Sequence, residues 1–293
     1  MIDKHIKHNI KEYDKKYFNQ KSKITIKDLL AHASGLPAFK QYYKEEKTRE
    51  SVLESIYDTV PIKSNRDTTV YSDVGAIILG EIVKKISGLP LNVFADSMIF
   101  KPLGMGTTFF NPPSNKMQRI VPTEFKPDGT IVHGYVHDEN AYSLGGVAGH
   151  AGLFSTAKDL AVFSQMMLND GLYGWKRIFK TETVNEFTTK ANVVGGSSRL
   201  LGWDSPGGYA SGGIYLSDNS FGHTGFTGTS MWIDPDQGII VILLTNAVHP
   251  NRKNKSPKYY DWRQRIHSAV YESLSIINKN PNLKLRPRWE EGE

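Results

Sequence analysis

The residues with most chemistry in them lie in Phe221-Gly222-His223-Thr224-Gly225-Phe226-Thr227-Gly228-Thr229-Ser230. Glycines at 222, 225 and 228 add no packing to a strand. They make sense where backbone must lie close to something else, such as a bound molecule. His223 and Thr224 can then face the same space as bare backbone N–H groups. A second group is Tyr71-Ser72-Asp73, a phenol and a carboxyl at what reads as a helix start. A third is Ser155-Thr156-Ala157-Lys158, a Ser-x-x-Lys at another helix start, where a lysine one turn on could take a serine proton. The competing reading makes Ser155 or Thr156 an N-cap, with Thr156 and Asp159 as a capping box. His133, His137 and His150, with Asp138, raise zinc as a weaker alternative. His133 and His137 fall in a β/loop region, however, where i,i+4 side chains stand about 13 Å apart and do not converge.

Totals narrow the partner classes. The 293 residues suffice for one large domain with ample core. At 39% hydrophobic and 23% charged the composition is that of an ordinary folded protein. The net charge of +6 is spread over scattered lysines, richest between Lys4 and Lys27, without the Arg–aromatic clusters of a nucleic-acid surface. Absence of cysteine excludes disulfides and thiolate metal sites. The longest apolar run, residues 239–244, is far too short to span a membrane, and residues 1–8 lack a signal-peptide core. As written, the chain is expected in the cytoplasm; a true N-terminus with a signal peptide would make it periplasmic or secreted.

The elements that must position these groups read as follows. Thr25 to Asp28 is a capping box opening a short helix through Ala33, stopped by Gly35 and Pro37. Helices follow over residues 50–58, from Ser72 or Asp73 to Gly88, and over 92–99. Ile120-Val121 and Ile131-Val132 flank Pro127-Asp128-Gly129 as a hairpin. A helix runs over 156–169. Asp234-Pro235-Asp236-Gln237-Gly238 then turns the glycine-rich strand into the apolar strand 239–244. The last helix, 260–276, is amphipathic, with Trp262, Ile266, Val270 and Leu274 expected to face inward. Trp203 and Tyr209 are candidate cleft-lining residues. Helices in the middle and a hairpin plus helix at the end predict an α+β layout, with residues 24–190 mainly helical and 205–280 holding strands and the C-terminal helix in one domain.

With those pieces placed, the chain resembles the serine hydrolase family of class C β-lactamases, DD-peptidases and related esterases. The resemblance runs through residues 24–37, Tyr71-Ser72-Asp73-Val74-Gly75, residues 99–105, residues 136–141, residues 145–156 and Gly222-His223-Thr224-Gly225, in the family's order. It implies an antiparallel sheet flanked by helices beside a helical region, acyl transfer on an ester or amide, and no cofactor or metal. By resemblance Tyr71 is the base or proton shuttle of a Tyr-x-Asn motif, with Asp73 where Asn is usual. His223 stands for the strand lysine, and the Phe226 N–H is an oxyanion-hole donor. Thr224, Gly225 and His150 line the substrate cleft. His223 in place of lysine removes a permanent cation and leans toward neutral esters. His32 is expected to be a hydrogen-bonded scaffold residue. The family's nucleophilic Ser-x-x-Lys lies before the segment matched by residues 24–37, and residues 1–23 contain none. The chain is therefore expected to be N-terminally incomplete, a truncation, a fragment or half of a split protein, and inactive alone; the alternative is a non-catalytic remnant or binding module that uses the same cleft.

Overall fold

The structure, a computed structural model, describes residues 20–45, 48–254 and 257–288. Residues 1–19, in which no Ser-x-x-Lys occurs, lie outside them.

Helix α1 (Ile26–Leu30) opens on the expected capping box, Thr25 accepting from Asp28 N–H while the Asp28 carboxylate accepts from Thr25 N–H. It ends earlier than expected. Ala31 is the C-cap and His32 takes φ 52°, so the chain turns before Gly35. Gly35 serves a different contact, because a Cβ there would sit 2.2 Å from the Lys63 carbonyl oxygen. Helices α2 (Tyr42–Glu45), α3 (Arg49–Asp58) and α4 (Asp73–Ser87) follow, α4 capped by Ser72 and closed by left-handed Gly88. Leu29, Val52, Ile56, Val74 and Ile77 from these helices share one core with Ala141 and Leu144.

The expected 92–99 helix is α5 (Leu91–Ala95), a π turn over Asp96–Phe100 and α6 (Lys101–Leu103). Strand β1 (Phe109–Phe110) pairs with β2 (Leu153–Phe154), and α7 (Glu139–Ser143) lies between them. The 120–132 hairpin forms no strands. Its turn, with Gly129 at φ 82°, is closed instead by Val132 N–H to Glu124 and Lys126 N–H to Thr130. After α8 (Ala157–Leu168) come the short pair β3 (Leu172–Tyr173) and β4 (Lys176–Arg177), then α9 (Thr181–Thr188).

The stretch read as one glycine-rich strand is itself a hairpin. Strand β5 (Phe221–Thr224) pairs antiparallel with β6 (Ser230–Asp234), and β6 with β7 (Ile239–Leu243). Gly225 N–H donates to the Thr229 carbonyl, and Gly228 at φ 115° completes the turn. The protein itself already requires two of these glycines. A Cβ on Gly222 would meet the Trp232 indole at 2.4 Å, and one on Gly225 the Thr229 hydroxyl at 2.2 Å. Side chains alternate across the sheet: Phe221 and Ile233 join Met166 and Met167 of α8, whereas Trp232 and Val241 join Tyr271 of the last helix.

That helix, α10 (Pro257–Ser273), turns its expected stripe outward. Of that stripe Trp262, Ile266 and Leu274 are exposed and only Val270 packs against the core, while Gln264, His267, Ser268 and Tyr271 are buried. The reason is what it packs on. Gln264 Nε2 donates to the carbonyls of Ala210 and Lys284 and its Oε1 accepts from Arg286 N–H, so the helix seals irregular backbone that needs polar partners. The fold is α+β, with small antiparallel sheets among helices.

Candidate active site

A cleft of about 920 Å³ lies between the helical region and the β5 edge. Tyr71, Asp73, His150, His223, Thr224, Gly225 and Phe226 all line it, as does Ser155.

Tyr71 precedes α4 and is placed by His32. The left-handed turn at His32 lets its carbonyl accept from Val70 N–H, while its Nδ1 accepts from Ser72 N–H at 3.1 Å. The His32 ring then packs on Tyr71 at 4.4 Å between centroids. Burial, aided by Arg199 and His223, drops the His32 pKa to about 3, so this ring is a neutral scaffold. Across the cleft the rings of Tyr71 and His223 lie 5.9 Å apart. Burial and the Asp73 charge push the Tyr71 phenol above its ordinary value, Arg199 partly offsetting them. Burial pushes His223 below the usual imidazole range against the pull of Asp204, with Arg199 reinforcing the fall. His223 is thus a neutral ring near pH 7.

The cation beside Tyr71 is Arg199, to which the motifs attached no weight. Its guanidinium lies 5.3 Å from the Tyr71 ring centroid and pairs with Asp204 at 2.5 Å. Asp204 exchanges both backbone hydrogen bonds with Gly222, which ties the pair to the β5 edge. No local motif marks Arg199; only this long-range bridge brings it in.

On the helical side, His150 donates from Nε2 to Asp138 at 2.8 Å, and Asp138 caps α7 through Ala141 N–H. Despite its burial, hydrogen bonds from His150 and the backbone hold the Asp138 carboxyl below the ordinary range. Asp73 moves the other way: burial pushes its carboxyl up, with His150 opposing and Asp138 assisting. Phe226 packs its ring edge-on to His137, 5.5 Å between centroids. The three histidines turn to separate partners, His133 to the Ile120 carbonyl, His137 to Glu124 and His150 to Asp138. Among the described residues no three His, Asp or Glu side chains are grouped to hold a metal ion.

Ser155 starts α8 but bonds the Thr108 hydroxyl at 2.7 Å, and Lys158 is exposed. Thr156 is the N-cap, accepting from Asp159 N–H. Only half the expected capping box forms, because the Asp159 carboxylate accepts from Thr107 N–H and from the hydroxyls of Thr107 and Thr108. Trp203 packs against Phe163 and Phe221 in the core, and half-exposed Tyr209 lies beneath Arg286; neither lines the cleft.

Helical region, antiparallel sheet and a cleft between them describe the class of penicillin-recognising folds, and solved structures agree. A penicillin-binding protein homologue from Pyrococcus abyssi superposes with TM-score 0.59 over 89% of this chain and 65% of its own, at 18% identity. Unliganded simvastatin synthase from Aspergillus terreus gives 0.61 over 86% and 69%, also at 18% identity. The Beta-lactamase family model matches residues 2–265, and the chain belongs to that family. It is 39% identical over 256 residues to a "Putative D-alanyl-D-alanine carboxypeptidase" of Escherichia coli K12, covering 78% of this chain and 58% of that protein. It is 37% identical over 289 residues to an N-acetylmuramyl-L-alanine amidase of Bacillus subtilis, covering 87% and 65%. The chain therefore spans about three fifths of the length of these relatives. Among the described residues no helix is long and apolar enough to cross a membrane.

Proposed function

We propose that the cleft is part of a serine acyl-transfer site, hydrolysing an amide or ester, whose nucleophile comes from a Ser-x-x-Lys segment outside these 293 residues. The observation that carries the reading is the pairing of Tyr71 and His223 across the cleft, 5.9 Å between rings, beside the hairpin edge. In this reading Tyr71 takes the proton of the attacking serine and delivers it to the substrate's leaving group. A phenol held above its ordinary value even with Arg199 beside it is no base at neutral pH until a further cation approaches its hydroxyl. The lysine of the Ser-x-x-Lys would be that cation, which is why the chain alone is expected to be inactive. Backbone N–H groups around Phe226 would receive the developing oxyanion, a contribution of about 3–4 kcal/mol to the barrier.

Arg199 alters the substrate reading. A permanent cation does line the cleft beside Tyr71, and although Asp204 pairs with it, its remaining guanidinium N–H groups can hold a substrate carboxylate, which a neutral ester would not use. The relatives' names, a D-alanyl-D-alanine carboxypeptidase and a muramyl-alanine amidase, point the same way, toward cell-wall peptides.

The test is labelling with a fluorescent penicillin. The purified chain should show no covalent adduct, Ser155 included. Supplying in trans a segment that carries a Ser-x-x-Lys should give an adduct on the supplied serine, and Tyr71→Phe should slow its formation about 10²–10⁴-fold. An adduct on Ser155 in the chain alone, or labelling indifferent to Tyr71→Phe, would end the reading.

A further inference from the structure

Next to the cleft is a smaller hollow of about 360 Å³, lined by Asn111, Tyr135, Val136, Tyr142, Gly145 and Gly146. Tyr135 and Val136 line both spaces, so the two adjoin. We propose that this hollow binds the sugar ring of a glycan-linked peptide whose acyl group lies in the main cleft; this rests on the acyl-transfer reading above.

The walls are two phenol rings, Tyr135 and Tyr142, with centroids 5.3 Å apart and planes inclined at 59°. They form an open angle rather than a stack, and Tyr142 is 61% exposed. An aromatic face left in water at a cleft mouth gains by covering a C–H surface, and a pyranose offers one with hydroxyls around its edge. The floor is polar and tightly specified. Asn111, Gly145 and Gly146 all adopt positive φ, at 48°, 86° and 78°. Asn111 Nδ2 donates to the Gly145 carbonyl at 2.8 Å, which fixes the carboxamide. A Cβ on Gly146 would lie 2.0 Å from Asn111 Oδ1, so the amide oxygen has its place only because residue 146 is glycine. That oxygen can accept from a sugar hydroxyl or an N-acetyl N–H. At the rim, the Lys126 ammonium lies 5.2 Å from the Tyr135 ring centroid and can donate to ring-edge oxygens. Apolar walls meeting one fixed amide at the base suit a monosaccharide unit better than a purely apolar group, which would leave the amide oxygen dry.

The experiment compares two probes by calorimetric titration of the full chain, N-acetylmuramyl-L-alanyl-D-isoglutamine and L-alanyl-D-isoglutamine. The wild type should bind the sugar-bearing probe at least about tenfold more tightly. Tyr142→Ala, which touches only the small hollow, should abolish that difference and leave the bare peptide's affinity unchanged; Tyr209→Ala, at an exposed tyrosine elsewhere, should preserve it. Equal affinities in the wild type, or a difference that survives Tyr142→Ala, would overturn the sugar subsite alone. Binding of neither probe to the wild type would overturn the peptide reading of the main cleft with it.

Discussion

Replacing Gly149 by alanine tests how the cleft is held together. Gly149 precedes His150, and its φ is not among the positive ones, so alanine is conformationally tolerated there. The obstacle is contact alone. An ideal Cβ at 149 lies 2.0 Å from the Ala76 carbonyl oxygen and 3.0 Å from Gly80 N–H nitrogen, both backbone atoms of α4. Real Cβ contacts essentially never fall under 3.0 Å, so the loop must withdraw from α4 by roughly an ångström. Overpacking costs about 1–3 kcal/mol, and with rigid backbone on both sides the upper end applies, about 3 kcal/mol. For a chain of this size a urea m-value of about 3 kcal/mol/M converts that to a midpoint lowered by about 1 M. Gly106→Ala is the control, since nothing lies within 4 Å of its Cβ; it should raise stability slightly, by about 0.4–1 kcal/mol. Urea unfolding followed by tryptophan fluorescence gives both midpoints. A Gly149→Ala midpoint indistinguishable from wild type would mean that the His150 loop is not seated on α4 as described.

Asp28 is fully buried and accepts from Thr25, Asn65 and the half-exposed Arg66 guanidinium, so Asp28→Ala orphans the Thr25 and Asn65 donors while releasing Arg66 to water, and should cost about 1–3 kcal/mol in urea; an unchanged midpoint would contradict the network. Stability should fall as the solution is acidified. Burial drops the pKa of His32 to about 3 and of His267 to about 4, so below about pH 6.5 the unfolded chain takes up protons that the folded one refuses. Each should remove about 1.4 kcal/mol per pH unit until its folded value is reached, and urea midpoints for His267→Gln should show the shallower slope. On α10 the ranking should defy hydrophobicity: Trp262→Ser should change stability by no more than about 0.5 kcal/mol, whereas Gln264→Ala should cost about 2–3 kcal/mol by orphaning two carbonyls and an N–H. The opposite order in thermal melts would refute the outward stripe.

Local chemistry was legible in the residues themselves. The Thr25–Asp28 capping box, the Ser72 cap and Gly88 stop of α4, and the Asp234–Gly238 turn depend on neighbours a few positions away, and such signals survive whatever the tertiary context. The order of motifs likewise pointed to the family that the matches establish. What the tertiary structure alone decided was direction and partnership. The glycines of the His223 hairpin are there for Trp232 and Thr229, the apolar stripe of α10 faces water because its other side must satisfy loop carbonyls, and Arg199 reaches Tyr71 only through Asp204 and the β5 edge. Each is set by groups many residues distant in the chain, and periodicity carries no information about which face the rest of the molecule leaves in need of hydrogen bonds or charge.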